Sequence, residues 1–265
     1  MELPFTPLSG VIVGSCVDNE DTKVHEDIFR ITEKNGYTQI DLMAIIPPEI
    51  TISRGKLLRE LESSYTFQKK ETLGFIEKFL RRELGFNSEK PKMCLVVTYI
   101  LNKEDKLILE EVSIAQAIGK IMTYDEYTLQ KECKLHYTAL IKLLREKRTV
   151  KNKVKQILSY KNIPTPSLGE KNIFIANQLF NHTCRRAATH AGLHFIKEQH
   201  RYAGEEPKKF ILRSPESKFN CSLRDPCAFI NMSILVDYLL GVPQIFTLSY
   251  LKRKINIEHA RSSRW

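Results

Sequence analysis

The sequence GVIVGSCVD, residues 10–18, is apolar and β-branched, and it runs directly into the acidic segment NEDTKVHED, residues 19–27. The first stretch predicts a β-strand. The end of that strand and the segment after it carry five carboxylates: Asp18, Glu20, Asp21, Glu26 and Asp27. Carboxylates this close together either bind a divalent cation or lie in a solvated loop. That choice decides whether the chain is an enzyme.

Further apolar stretches predict more strands. Residues 37–46, YTQIDLMAII, follow the turn signal Lys34-Asn35-Gly36 and are expected in the same sheet as residues 10–18. Residues 93–101 and 106–114 predict a β-hairpin with its bend at residues 102–105. The first strand therefore belongs to a larger β-structure.

Helical periodicity follows these strands and also separates them. Thr123 and Glu126 predict a capping box that begins a helix running to about Arg148. The lysine-rich stretch 151–170 contains two prolines and predicts an exposed connection. The other predicted helices are 54–62, 72–85, 172–190 and 228–240, the last stopped by Gly241 and Pro243.

Length and composition favour one intracellular domain. The 265 residues fit a single α/β or α+β domain, here residues 1–250 with a basic tail at 251–265, and no run approaches the ~18 apolar residues of a membrane span. The amino terminus lacks the basic start of a secretory signal, which favours the cytoplasm or an organelle without choosing between them. The six cysteines form no CxxC pair, which favours reduced thiols over disulfides or zinc.

The formal net charge is +10. A cationic surface attracts polyanions and gains affinity by releasing counterions, so nucleic acid is the leading class of partner. A solvated lysine-rich surface explains the same charge, and both interpretations stay open.

Five short patterns, in order along the chain, resemble the catalytic domain of the ribonuclease II and ribonuclease R family, the RNB domain. The similar segments are Cys16-Val17-Asp18 with Thr22 and 24–27, the strand 36–46, Met122-Thr123-Tyr124-Asp125-Glu126, the helix start 170–177, and the segment 221–231. The resemblance covers roughly residues 10–240. It implies a single RNB-like α+β domain, with mixed, mostly antiparallel sheets packed against long helices. It also implies a narrow channel for single-stranded RNA that leads to a Mg²⁺ site and removal of nucleotides from the 3′ end.

The resemblance also implies specific site residues and exposes departures from the family pattern. The metal ligands would be Asp18, Glu26 and Asp27, with a valine, Val24, in place of a fourth aspartate. Arg224 would clamp the scissile phosphate, although Asp225 beside it weakens that role. Losing a ligand and weakening the clamp should cost several kcal/mol of transition-state stabilisation, at about 1.4 kcal/mol per tenfold in rate.

Candidate RNA contacts are spread over three parts of the chain. Tyr124 is a candidate for base stacking, and Arg185, Arg186 and the tail run Lys252-Arg253-Lys254 are candidates for phosphate contacts. Packing for Tyr124 and solvation for the basic residues remain the alternatives.

Three functions stay open. The first, favoured by the broken cluster, is an impaired pseudo-exoribonuclease that binds single-stranded RNA. The second is an active Mg²⁺-dependent 3′-5′ exoribonuclease, and the third is a subunit of a larger RNA-processing or ribonucleoprotein complex.

Overall fold

The computed structural model describes residues 10–20, 22, 25–46, 85–86, 90–159, 165–195, 219–220 and 226–243. Five strands form a closed barrel in the order β1-β2-β3-β4-β5. Consecutive strands pair antiparallel, and β1 closes the barrel by pairing parallel with β5. The strands are β1 Val11–Asp18, β2 Asp27–Lys34, β3 Tyr37–Ile45, β4 Lys92–Leu101 and β5 Leu107–Thr123.

The predicted fold class, a mostly antiparallel sheet with long helices, is confirmed. The predicted turn at Lys34–Gly36 is also present, because Asn35 and Gly36 both have positive φ, 53° and 78°, as a two-residue hairpin loop requires. The strand β2 was not predicted, since charged residues such as Arg30 interrupt its apolar alternation. The strand β5 extends well beyond the predicted end at residue 114.

Side chains on the inside of the barrel form an apolar cluster: Ile12, Cys16, Ile28, Met43, Ile45, Phe86, Cys94, Val96, Ala115 and Ala117. Because side chains alternate along a strand, the same inward face continues to polar residues further along the barrel. There Asp41 is fully buried and accepts hydrogen bonds from Arg30 at 2.6 and 2.8 Å, from Thr98 at 2.9 Å and from Gln39 at 2.8 and 2.9 Å. This network satisfies a carboxylate that would otherwise be costly to bury.

The described helices are α1 Tyr124–Leu129, α2 Lys131–Glu146, α3 Arg148–Leu158, α4 Leu168–His190 and α5 Pro226–Leu239. They pack on the outer face of the barrel, where Tyr127, Leu140, Ile175 and Leu179 join a second apolar cluster with outward residues of the strands. The first turn of α4 contains the acidic residue Glu170, and its last turn contains His190. The apolar residues of α4 pack against the strands β3 and β4. The described helices therefore pack against the outer face of the barrel.

Two predictions about the helices need correction. The single helix expected from Thr123 to Arg148 is broken at Gln130 and Lys147, whose backbone dihedrals are not helical. The connection expected at 151–170 is helical up to Leu158, because Val150 and Val154 bury an apolar stripe, and the next helix already begins at Leu168. The predicted capping box of Thr123 and Glu126 is present.

Some predictions fall on parts of the chain outside the description. They include the helix expected at 54–62, the helix expected at 72–85 except for its last residue, and the basic tail at 251–265. The prediction for residues 228–240 is confirmed by α5, after which Gly241 has a φ of +66°. The cysteines at 16, 94, 133 and 184 are buried and form no disulfide. Within the described part of the chain, no helix combines the length and the apolar character needed to cross a bilayer.

Candidate nucleic-acid and metal site

A pocket of about 200 Å³ lies where β1 ends and β2 begins, under the helices α1 and α4. Its walls combine carboxylates and an amide with apolar and aromatic groups. The lining residues are Val17, Asp18, Asp27, Ile28, Phe29, Leu42, Met43, Tyr124, Ile173, Ala176, Asn177 and Phe180. Such a mixture of apolar walls and a few polar groups is typical of a ligand site.

Four residues from three of the family-like patterns meet in this pocket: Asp18, Asp27, Tyr124 and Asn177. The backbone explains how they meet. Asp18 is the last residue of β1 and pairs with Thr123, the last residue of β5, so that Tyr124 follows directly beside it. Asp27 is the first residue of β2, which pairs with β1. The closure of the barrel therefore brings distant motifs to one place.

The three predicted metal ligands are placed differently from one another. Asp18 and Asp27 line the pocket, whereas Glu26 is completely buried and is not among the lining residues. The amide of Ile45 donates to the carbonyl oxygen of Glu26 at 3.0 Å, which holds this residue at the edge of β3. Asp27 accepts a hydrogen bond from the side-chain amide of Asn220 at 3.3 Å.

Hard cations such as Mg²⁺ prefer oxygen ligands and often bind through one or two carboxylates together with water and substrate phosphate. Asp18 and Asp27 supply two carboxylates to one pocket, and they are the residues that would hold a magnesium ion there. A third carboxylate does not reach the pocket among the described residues. Val24 and Arg224 lie outside the described residues.

His25 adds a feature that the sequence did not reveal. Its side chain is 13% exposed, and its Nδ1 lies 3.2 Å from Oδ2 of Asp18. The thiol of Cys16 is nearby, so that sulfur, nitrogen and oxygen donors of the three side chains all lie within 4.8 Å of one another. The available signal was the Cys-x-Asp spacing, which places both side chains on one face of a strand.

The predicted RNA-contacting arginines lie on α4. Arg185 is half-buried, and Arg186 is 48% exposed and donates to Oε2 of Glu110 at 2.9 Å. The run Lys252-Arg253-Lys254 lies outside the described residues. A basic surface that was not predicted lies on α3, where Arg148, Lys151 and Lys155 are exposed at spacings that place them on one helical face. This face was missed because residues 151–170 were predicted to be an exposed connection and not a helix.

No model of a known protein family and no curated protein matches the chain. Solved structures do. Mycoplasma genitalium RNase R in complex with ribose-methylated single-stranded RNA is 10% identical with a TM-score of 0.48, covering 72% of this chain and 34% of that one. Yeast Ssd1, a pseudonuclease, is 13% identical with a TM-score of 0.47, covering 72% of this chain and 28% of that one.

The apo form of the Mycoplasma genitalium enzyme is 8% identical with a TM-score of 0.46, covering 71% of this chain and 34% of that one. The chain thus spans about a third of the length of these proteins. RNase R is a member of the family that the sequence motifs resemble.

Proposed function

We propose that this chain is an RNB-like protein that binds single-stranded RNA and hydrolyses it poorly or not at all. The observation that carries the proposal is the meeting of Asp18, Asp27, Tyr124 and Asn177 in one pocket of about 200 Å³. Carboxylates beside an aromatic ring suit the end of an RNA strand, because the ring stacks on a base while the carboxylates hold a cation against phosphate.

The charge of the chain supports a polyanionic partner. The formal net charge is +10, and the helix α3 contributes a face with Arg148, Lys151 and Lys155 and no acidic residue. Cations on a surface neutralise phosphates and release counterions, which gives binding that does not depend on base sequence. Together with the pocket, this face offers separate places for the backbone and for the terminal nucleotide.

The donor set favours impaired catalysis. In-line phosphoryl displacement is fastest when metal ions clamp both the attacking and the leaving oxygen. Here Glu26 is completely buried, and the carboxylate of Asp18 is in contact with His25. The two carboxylates Asp18 and Asp27 are enough to hold one magnesium ion, but they do not provide further ligands for a second ion.

An active Mg²⁺-dependent 3′-5′ exoribonuclease is the alternative function. It would use Asp18, Glu26 and Asp27 as ligands and Arg224 as the phosphate clamp. The separation of the two functions requires both a binding and a cleavage measurement. Membership of a larger RNA-processing complex is compatible with either outcome.

The test combines end-labelled single-stranded RNA with the purified chain, with and without Mg²⁺ or Mn²⁺. We expect saturable binding that weakens steeply with salt, and no release of nucleotides. If the chain trims RNA efficiently from the 3′ end and Asp27→Asn abolishes this activity, the chain is an active exoribonuclease and the proposal of impaired catalysis is wrong. Absence of any binding at low salt would overturn both.

The role of the basic face is tested by the triple substitution Arg148→Gln, Lys151→Gln and Lys155→Gln. For single strands each neutralised phosphate contributes about 0.7 to the slope of log K against log salt, so three lost contacts should lower that slope by about 2. The matched control is Lys103→Gln, Lys131→Gln and Lys134→Gln, three exposed lysines elsewhere that give the same change in charge. Equal effects of both triple variants would show that only net charge matters.

A further inference from the structure

Cys16, Asp18 and His25 form a group of mixed donors at the end of the barrel. The strand β1 places Cys16 and Asp18 on the same, inward face, and the segment that leads into β2 returns His25 to them. One ligand atom from each residue lies within 4.8 Å of the other two. Among the described residues, these three side chains are the ones that bring a thiol, a carboxylate and an imidazole close enough together to share one metal ion.

The distances suit one small ion. Zinc takes nitrogen and oxygen ligands at about 2.0–2.2 Å and sulfur at about 2.3 Å in tetrahedral geometry. Tetrahedral angles then place ligand nitrogen and oxygen about 3.4 Å apart and sulfur and nitrogen about 3.6 Å apart. His25 Nδ1 and Asp18 Oδ2 are already 3.2 Å apart. No pair of donor atoms in the group is more than 4.8 Å apart, so each pair would have to approach by about 1.4 Å at most, within the reach of side-chain rotation.

The chemistry of the donors separates this site from a magnesium site. Thiolate and imidazole are ligands for zinc and related transition metals, whereas magnesium requires oxygen. Cys16 is completely buried among apolar side chains, and His25 and Asp18 are only 13% and 20% exposed. Asp18 also lines the pocket, so that a fourth coordination position would face the space where a ligand enters.

We propose that Cys16, Asp18 and His25 bind a divalent transition-metal ion of the zinc type with three protein ligands and one position open to the pocket. This assignment rests on the three donor side chains and not on the proposed function. It shares Asp18 with any magnesium ion in the pocket, so the two ions would compete for that carboxylate.

The test uses the full chain, stripped of metal with a chelator and titrated with Zn²⁺ by calorimetry. Co²⁺ serves as the spectroscopic probe, because a cobalt–thiolate bond gives a charge-transfer band in the near ultraviolet. We expect one zinc ion per chain and the cobalt band in the parent protein. Cys16→Ala should lose the band, and His25→Gln should weaken zinc binding by more than about 100-fold, beyond the 10–100-fold typical of losing a residue that only supports a ligand.

Cys94→Ala is the matched control. Cys94 is also a completely buried thiol in the same apolar cluster, but it does not belong to the donor group. Substituting Cys94 with alanine removes a sulfur atom from the same apolar cluster. If both alanine variants have similar thermal stability, the loss of metal binding in Cys16→Ala is not caused by unfolding. His25→Gln changes a partly exposed residue and provides a second variant if Cys16→Ala unfolds.

Four results would overturn the proposal. Two are the absence of saturable zinc binding and a preference of the metal-free chain for Mg²⁺ over Zn²⁺. The other two are a cobalt band that persists in Cys16→Ala and an equal loss of the band in Cys94→Ala. The RNA-binding measurement stays separate, since it is made in the presence of chelator as well as with metal.

Discussion

Glu110 connects the barrel to the helix α4 and to the junction between α2 and α3. Neutralising its carboxylate should destabilise the protein, because the buried ammonium group of Lys147 would lose its charged partner. Oε2 of Glu110 on β5 accepts from Nζ of Lys147 at 2.6 Å and from Nη1 of Arg186 at 2.9 Å, and Oε1 accepts from the hydroxyl of Thr183. Lys147 lies between α2 and α3 and is 7% exposed, while Arg186 is 48% exposed. The same carboxylate therefore binds one buried and one exposed cation.

Glu110→Gln leaves the ammonium group of Lys147 buried without a carboxylate. Breaking a buried pair by removing one partner costs about 3–5 kcal/mol. Because the carbonyl oxygen of glutamine still accepts one hydrogen bond, we expect the lower end, about 3 kcal/mol. For a chain of this size about 1 kcal/mol shifts the melting temperature by about 2–4 °C, which predicts a decrease of about 6–12 °C.

Arg186→Gln is the matched comparison, since it removes the exposed partner of the same oxygen atom. Exposed ion pairs contribute about 0–1 kcal/mol, so this variant should unfold close to the parent protein. The assay is equilibrium unfolding in urea at neutral pH, with circular dichroism as the probe. An Arg186→Gln variant as unstable as Glu110→Gln would refute the argument that burial of Lys147 sets the cost.

The pH dependence supplies a second check on the same carboxylate. Burial raises the pKa of Glu110, but the hydrogen bonds from Lys147 and Thr183 and the nearby charges outweigh it, so the pKa lies below its ordinary value of 4.5. A carboxylate with a lowered pKa contributes stability that is complete above the unfolded pKa and is lost as the pH falls through the folded pKa. The difference in unfolding free energy between the parent protein and Glu110→Gln should therefore shrink on acidification below about pH 4.5.

Three further substitutions test local features. Thr123→Ala removes the side chain that accepts from the amide of Glu126 and should cost about 1 kcal/mol of unfolding free energy, measured in urea; no change would contradict the role of the cap. Gly119→Ala places a Cβ 2.8 Å from Phe86 Cγ and 2.9 Å from Ile28 Cγ2, and such overpacking should cost about 1–3 kcal/mol in the same assay. Asp27→Asn should leave RNA affinity in chelator within about tenfold of the parent, and a complete loss of binding would show that this carboxylate holds the RNA site together.

Local sequence signals were sufficient where the governing contacts are local. The capping box of Thr123 and Glu126 satisfies backbone groups within one turn, and the Asn35-Gly36 turn depends on two residues that tolerate positive φ. The end of α5 at Gly241 follows the same logic. In contrast, β2 is a strand because β3 pairs with it along its whole length, and its own alternation is too weak to predict that.

The candidate site shows the same division between local and distant contacts. The sequence predicted Asp18 and Asp27 as candidate metal ligands and Tyr124 as a candidate for base stacking, and the structure places all three in the lining of one pocket. Sequence did not show that Glu26 is completely buried and absent from the pocket lining, or that His25 lies beside Asp18. Those positions depend on how the segment between β1 and β2 enters the barrel.

The sequence by itself therefore determined the helix caps, the tight turn, the strands with clear alternation and the excess of positive charge, because each depends on neighbouring residues or on composition alone. Only the tertiary structure decided that β1 pairs parallel with β5 and that Cys16, Asp18 and His25 share one end of the barrel. Pairing between segments a hundred residues apart is selected by the combined burial of the whole barrel, and no single segment carries that information.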